Sequence, residues 1–181
     1  FYPRNGFGQI SEAIAQDAKK HGAEIRLGCT VKSIELGRKQ KVSFETEGHL
    51  ETIEADHVWS TIPLTVLAKV IEPAAADVIE ASKKISYRAM VLIYLVLEQA
   101  QWTPFDAHYF PEADIKLTRL SEPKNYSASR EPVGKTVLCG ELPCSVNDEI
   151  WKASDEDLAS LVRESLTRCG LPIQVPVSQI V

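Results

Sequence analysis

The sequence predicts an α+β fold, and three observations carry that expectation. Apolar residues recur at helical spacing in two places: Ile10, Ala13, Ile14 and Ala18 near the start, and Leu158, Leu161, Val162 and Leu166 near the end. Val42-Ser43-Phe44-Glu45-Thr46 alternates with the period of two that marks a half-buried strand. Met90 to Leu97 is a nearly continuous apolar run, bounded like a buried strand. No internal repeat, low-complexity segment or long charge run interrupts the pattern.

The elements follow in order. Arg4-Asn5-Gly6-Phe7-Gly8 reads as a turn that leads into the first helix. Lys19 and Lys20 suit the negative end of that helix, and Gly22 is placed to be its left-handed stop. Strands are expected at Glu24–Leu27 and Thr30–Leu36, the latter with apolar Val31, Ile34 and Leu36. Glu47-Gly48-His49 makes a turn that returns the chain through Leu50–Ile53 as a hairpin. Ala55–Pro63 is a further expected strand, with Trp59 as a packing residue and Pro63 suited to the first turn of the next helix. Leu64, Leu67, Ala68 and Ile71 give that helix its stripe, and a short helix over Asp77–Lys84 follows the Glu72-Pro73 break. Tyr87–Leu97 is expected to be buried on both faces. Trp102–Pro143 is irregular, with short strands around Ala107–Phe110, Leu117–Ser121 and Thr136–Leu142. The last helix starts near Ser154 in a capping box that uses Asp157, buries Leu158, Leu161, Val162, Ser165 and Leu166, and ends at Gly170.

Composition narrows the class. The chain has 181 residues, a net charge of −5, 44% hydrophobic and 25% charged residues, as expected of a globular protein. The acidic balance argues against a nucleic-acid partner. No apolar run approaches the roughly 18–20 residues that span a bilayer. The first residue is Phe1, the one methionine is Met90, and no signal pattern opens the chain, so it reads as an internal stretch of a longer protein. Cys29, Cys139, Cys144 and Cys169 are scattered, with no metal-clip spacing, and are expected as buried thiols in a reducing cytoplasm. His21, His49, His57 and His108 are equally dispersed, and no metal site is expected.

No nucleophile elbow, zinc helix, phosphate loop or calcium loop is present. Gly6-Phe7-Gly8 is either a plain helix entry or a place where helix N–H groups meet a phosphate. Arg119 and Lys124, on either side of Glu122, are either a surface ion-pair cluster or a pair that holds a carboxylate or phosphate. Tyr109, Phe110 and Tyr126 either pack the core or line a pocket for a flat substrate. No residue stands out as a general base, so no catalytic role is assigned.

The order of elements says more than any one residue. Gly22-Ala23-Glu24-Ile25-Arg26-Leu27-Gly28, then Thr30-Val31-Lys32-Ser33-Ile34, a hairpin, and Ala55-Asp56-His57-Val58-Trp59-Ser60-Thr61-Ile62-Pro63-Leu64 form one signature, preceded by a glycine-led helix. From Tyr2 to Ala68 the chain resembles the central segment of the flavin-containing amine oxidase and protoporphyrinogen oxidase superfamily. Thr118 to Tyr126 is similar to a form seen near protoporphyrinogen oxidases and UDP-galactopyranose mutases.

The resemblance implies a fragment of a two-domain FAD-dependent oxidoreductase. Residues 1–64 would belong to the FAD-binding domain as a helix plus β-meander. Residues 65–181 would belong to a substrate domain, a mixed or antiparallel sheet with covering helices. It implies adenine contact through the backbone of Val31, which the residues alone leave equally as a core valine. It places Thr61, Ile62 and Pro63 beside the cofactor and leaves Arg119, Lys124 and Tyr109 as substrate-side candidates. The G-x-G-x-x-G pyrophosphate site is missing from these residues, as is the segment that closes over the flavin, so the missing N- and C-terminal parts of the same chain would be its partners. The implied chemistry is hydride transfer to flavin from a small-molecule CH–NH or CH–CH donor. A flavin-dependent sugar-nucleotide mutase, with Arg119 and Lys124 on the substrate pyrophosphate, and a non-catalytic interaction domain are the alternatives.

Overall fold

The structure is a computed structural model that describes residues 2–4, 6–126 and 131–181; Asn5 of the opening turn lies outside them. The chain divides into two compact units, one of Ile14–Ser86 and one of Phe1–Ala13 with Tyr87–Val181. Helix α1 (Gly8–Lys20) ends as expected: Gly22 takes φ +94° and its N–H donates to the Lys19 carbonyl.

In the Ile14–Ser86 unit, β1 (Thr30–Glu35), β2 (Gln40–Thr46) and β3 (His49–Ala55) form the predicted antiparallel meander. The β2–β3 hairpin closes between Thr46 and His49 with positive φ at Glu47 (50°) and Gly48 (79°), the twist that suits a two-residue turn. Lys32 is an extra residue between Val31 and Ser33, and this bulge sits where β1 passes Phe44 of β2. Helix α2 (Leu64–Val70) leads into β4 (Ile71–Glu72), which joins the sheet parallel to β1 to give the order β3-β2-β1-β4. Helix α3 (Ala76–Ser82) completes the unit. Pro63 is one position earlier than expected: its carbonyl accepts from Val66 and Leu67, so it precedes the helix rather than starting it.

Two expected strands do not form. Residues 24–27 and 56–63 have no ladder partner among the described residues. A strand exists only through a neighbour's hydrogen bonds, so their β-favouring sequence has nothing to pair with. Trp59, expected to pack, is therefore 94% exposed, and Leu27 is 87% exposed.

The other unit is built on five antiparallel strands: β5 (Ala89–Leu97), β6 (Ala107–Tyr109), β7 (Arg119–Ser121), β8 (Thr136–Cys144) and β9 (Val177–Ile180), in the order β6-β7-β8-β5-β9. Helix α4 (Glu149–Lys152) follows β8, and helix α5 (Asp155–Arg168) covers one sheet face with Leu158, Ala159, Val162, Ser165 and Leu166 buried. Ser154 caps α5 by accepting from the Asp157 N–H at 3.2 Å. The Asp157 carboxylate accepts from the Ser154 hydroxyl, so the shorter acid closes the box onto the side chain. Leu95, Leu97, Leu138, Leu142, Val162 and Leu166 form the centre of the core.

β5 is not buried on both faces. Ile93, Leu95 and Leu97 are buried, whereas Met90, Leu92 and Tyr94 are exposed. The run is apolar on both sides, but only one side meets helix α5, and its other side is left open.

Helix α5 comes close to the sheet at Gly140. A Cβ there would meet Ile93 Cγ2 at 3.2 Å, Leu117 Cδ1 at 3.3 Å and Val162 Cγ2 at 3.3 Å. Gly140→Ala is expected to lose about 1–2 kcal/mol, because the three neighbours are rigid core groups that must each give a little. Equilibrium unfolding measures this, and an unchanged or increased stability would show that the contact relaxes freely.

Candidate functional site

Antiparallel pairing puts opposed residues on the same face. Tyr109 opposes Arg119, Arg119 opposes Glu141 and Glu141 opposes Leu92. Ala107, Ser121, Cys139 and Tyr94 make the next row. These rows lie on the face of the five-stranded sheet opposite α5, and they bring aromatic, apolar and charged groups together.

Arg119 is at the centre. Its Nη2 is 2.8 Å from Glu141 Oε1, with Arg119 37% and Glu141 18% exposed. Its Nε is buried and has no hydrogen-bond partner among the described residues. Burial pulls the guanidinium down, but Glu141 and the hydroxyls of Tyr109 and Tyr126 outweigh it and hold the charge more firmly than usual. Burial also raises the Tyr126 hydroxyl against the opposing pull of Arg119. Cys139 raises the Tyr94 hydroxyl, and burial raises the Cys139 thiol. At neutral pH these groups are therefore hydrogen-bond donors around a fixed cation.

Tyr109 is 70% exposed on the edge strand, whereas Phe110, the next residue, turns into the core. Tyr126 ends a 3-10 turn (Pro123–Tyr126) and stacks on Tyr2, with ring centroids 5.3 Å apart and planes at 21°. So two of the three expected aromatics reach this face, and the third serves packing.

Lys124 does not join Arg119 as a cationic pair. Its Nζ donates to the carbonyls of Pro132 at 2.6 Å and Lys135 at 2.8 Å, which ties two loops. Glu122 is not part of a surface ion-pair cluster either. It is 2% exposed and accepts from Trp102 N (2.8 Å), Thr103 N (2.9 Å), Thr136 Oγ1 (2.7 Å) and Asn125 Nδ2 (3.2 Å). Spacing along the sequence signalled neither its burial nor the role of Glu141, because both depend on pairing between distant strands.

In the Ile14–Ser86 unit, Val31 is half-buried and borders a cavity of about 340 Å³ with Cys29, Val42, Phe44 and Ile53, and Glu24 and Arg26 complete its lining. Arg26 lies over the Phe44 ring at 5.8 Å and pairs with Glu24 and Glu51. β4 pairs only with Ile34 and Glu35, so β1 from Thr30 to Ser33 has no strand on its other edge among the described residues. A largely apolar slot with a charged rim, beside an open strand edge, suits a flat heteroaromatic ring read by main-chain groups. Thr61, Ile62 and Pro63 are exposed in the segment before α2, without a strand to hold them.

All four cysteines are free: Cys139 and Cys144 are buried as expected, but Cys29 and Cys169 are only half-buried. Among the described residues no group of three or more metal-ligating side chains comes together. No helix among them is long and apolar enough to cross a membrane.

The family model for flavin containing amine oxidoreductases matches residues 1–180. No curated protein matches the chain. Solved structures do. A reduced UDP-galactopyranose mutase superposes with a TM-score of 0.75 at 17% identity, over 99% of this chain and 38% of its own. A protein of Exiguobacterium sp. 255-15, provisionally named a protoporphyrinogen oxidase, gives 0.60 at 19% identity over 94% and 37%. Wild-type putrescine oxidase bound to putrescine gives 0.62 at 14% identity over 97% and 38%. At such identities the likeness is one of fold. The chain spans about two fifths of the length of these structures.

Proposed function

This chain belongs to the flavin containing amine oxidoreductase family, and from that premise we propose that it is the central part of a longer FAD-dependent oxidoreductase. The observation that carries the reading is the family match over residues 1–180. We assign the β1–β3 meander and its preceding helix to the cofactor side and the five-stranded sheet to the substrate side. The backbone of β1 at Val31 would lie along the adenine, with Thr61, Ile62 and Pro63 beside the cofactor. The exposed segments around Leu27 and Trp59 would be completed by strands from the N- and C-terminal parts of the same chain. The four free thiols support a reducing compartment, and the cytoplasm is the assignment.

FAD, when bound, supplies the acceptor for a hydride drawn from a CH–NH or CH–CH donor. This chain's own residues would do the rest on the open sheet face. Leu92, Tyr94 and Tyr109 receive the apolar body of the substrate, and the Arg119–Glu141 pair fixes its polar end. None of them is positioned as a general base, so proton removal falls to groups beyond these residues. A second reading is a sugar-nucleotide mutase, in which reduced flavin acts without net redox change. It draws on the likeness of fold to a UDP-galactopyranose mutase alone.

The test is the flavin content of the full-length protein, purified beside the 181-residue chain and titrated with FAD. Bound flavin in the former and none in the latter is the expected result. Flavin in neither would overturn the reading and bring forward a non-catalytic interaction domain.

A further inference from the structure

On the open face of the five-stranded sheet, one buried side-chain nitrogen is left unsatisfied by the described residues. Arg119 Nε is buried without a partner among the described residues, although an N–H in that state normally costs a protein stability. Glu141 does not satisfy it: that carboxylate meets the guanidinium at Nη2. The carboxylate takes Nη2, while Nε is left for a group that the described residues do not supply. Tyr109 and Tyr126 flank the same guanidinium. Burial makes Tyr126 hold its proton more firmly than an ordinary tyrosine, so it does not compete as an anion. Donors exceed acceptors here, which is the arrangement that recognises an oxyanion.

We propose that Arg119, between Tyr109 and Tyr126, anchors an oxyanion carried by the substrate, a carboxylate or a phosphate, while Leu92 and Tyr94 receive its flat apolar body. The inference rests on the assignment of this face to substrate. Lys124 is not part of the anchor, because two of its three ammonium donors hold the carbonyls of Pro132 and Lys135. Access to Nε comes by rotation of Tyr109, whose side chain is exposed on the edge strand β6. Guanidinium is suited to the task, since its fixed fork keeps Nη2 on Glu141 while Nε turns to a ligand.

The experiment is calorimetric titration of the full-length protein with 2-naphthoate, its neutral amide 2-naphthamide, and inorganic pyrophosphate. Naphthoate is expected to bind at least tenfold more tightly than the amide. That preference is expected to vanish in Arg119→Gln and to persist in Lys124→Gln. Pyrophosphate that outcompetes naphthoate through the same Arg119 dependence assigns the oxyanion to a phosphate; naphthoate binding without such competition assigns it to a carboxylate. Equal binding of acid and amide, or wild-type affinity in Arg119→Gln, overturns the proposal. Should Arg119→Gln fail to fold with Glu141 left unpaired, the double variant with Glu141→Gln removes both charges and gives the same reading. Flavin content is measured on every sample by its absorbance after extraction. Flavin retained with no Arg119-dependent binding defeats only the anchor, and Arg119-dependent binding without flavin defeats only the flavoprotein assignment.

Discussion

Glu122→Ala is expected to lower stability by about 3–5 kcal/mol, more than any single change on the open sheet face. The carboxylate is 2% exposed, and among the described residues no lysine or arginine hydrogen-bonds to it. It is held instead by two main-chain N–H groups, a threonine hydroxyl and an amide. Removing it leaves the N–H groups of Trp102 and Thr103 and the fully buried Thr136 hydroxyl without an acceptor. Asn125 would hold on only in part, since its Nδ2 also donates to the carbonyls of Thr103 and Phe105 at 2.9 Å each. Glu122→Gln keeps the shape but turns one acceptor into a donor facing other donors, so about 1–2 kcal/mol is expected there. Equilibrium urea unfolding of the three proteins checks the order. A loss below about 1 kcal/mol in the alanine variant would mean that water or a shifted hydroxyl replaces the carboxylate. The change also has a functional reach, because Glu122 and Asn125 fix the turn that delivers Tyr126 to its place against Tyr2.

Glu122 also shows where the sequence stops being legible. Elements whose physics is local were visible: α5 from its capping serine and stripe, the β2–β3 hairpin from Glu47-Gly48, and the end of α1 from Gly22. Elements that depend on a neighbour were not. Residues 24–27 and 56–63 carry strand-like sequence, yet no strand lies beside them among the described residues, so they remain irregular. β4 and β9 form for the opposite reason, because a neighbour, β1 or β5, is present to pair with short segments of no marked pattern. The apolar run of β5 could not reveal that one face is open, since residues on both faces are apolar. Arg119 and Tyr109 were visible as residue types, but their meeting with Glu141 is a matter of cross-strand register. The conversion of Lys124 from ligand candidate to loop tie is likewise a product of chain folding over ten residues away.

Val31→Trp is expected to weaken FAD binding in the full-length protein by about a hundredfold, or roughly 2.7 kcal/mol, while Val31→Ala changes it by less than about threefold. The asymmetry follows from the proposed mode of contact. An adenine edge read by main-chain N–H and C=O groups needs the strand in place but no particular side chain, so trimming valine to alanine leaves the readout intact. Indole, in contrast, fills the slot of about 340 Å³ between Val42, Phe44 and Ile53 that the ring would enter. The bulge at Lys32 already loosens the pairing of β1 with β2 here, and β4 reaches only Ile34 and Glu35. The strand can therefore accept a larger residue without losing the sheet, and thermal unfolding of the tryptophan variant should stay close to that of the wild type. Fluorescence quenching of FAD on titration into apoprotein gives the affinities. Equal affinity in all three proteins would remove Val31 from the cofactor site and return it to ordinary packing. A loss in the alanine variant as large as in the tryptophan variant would show that the side chain, not the backbone, makes the contact.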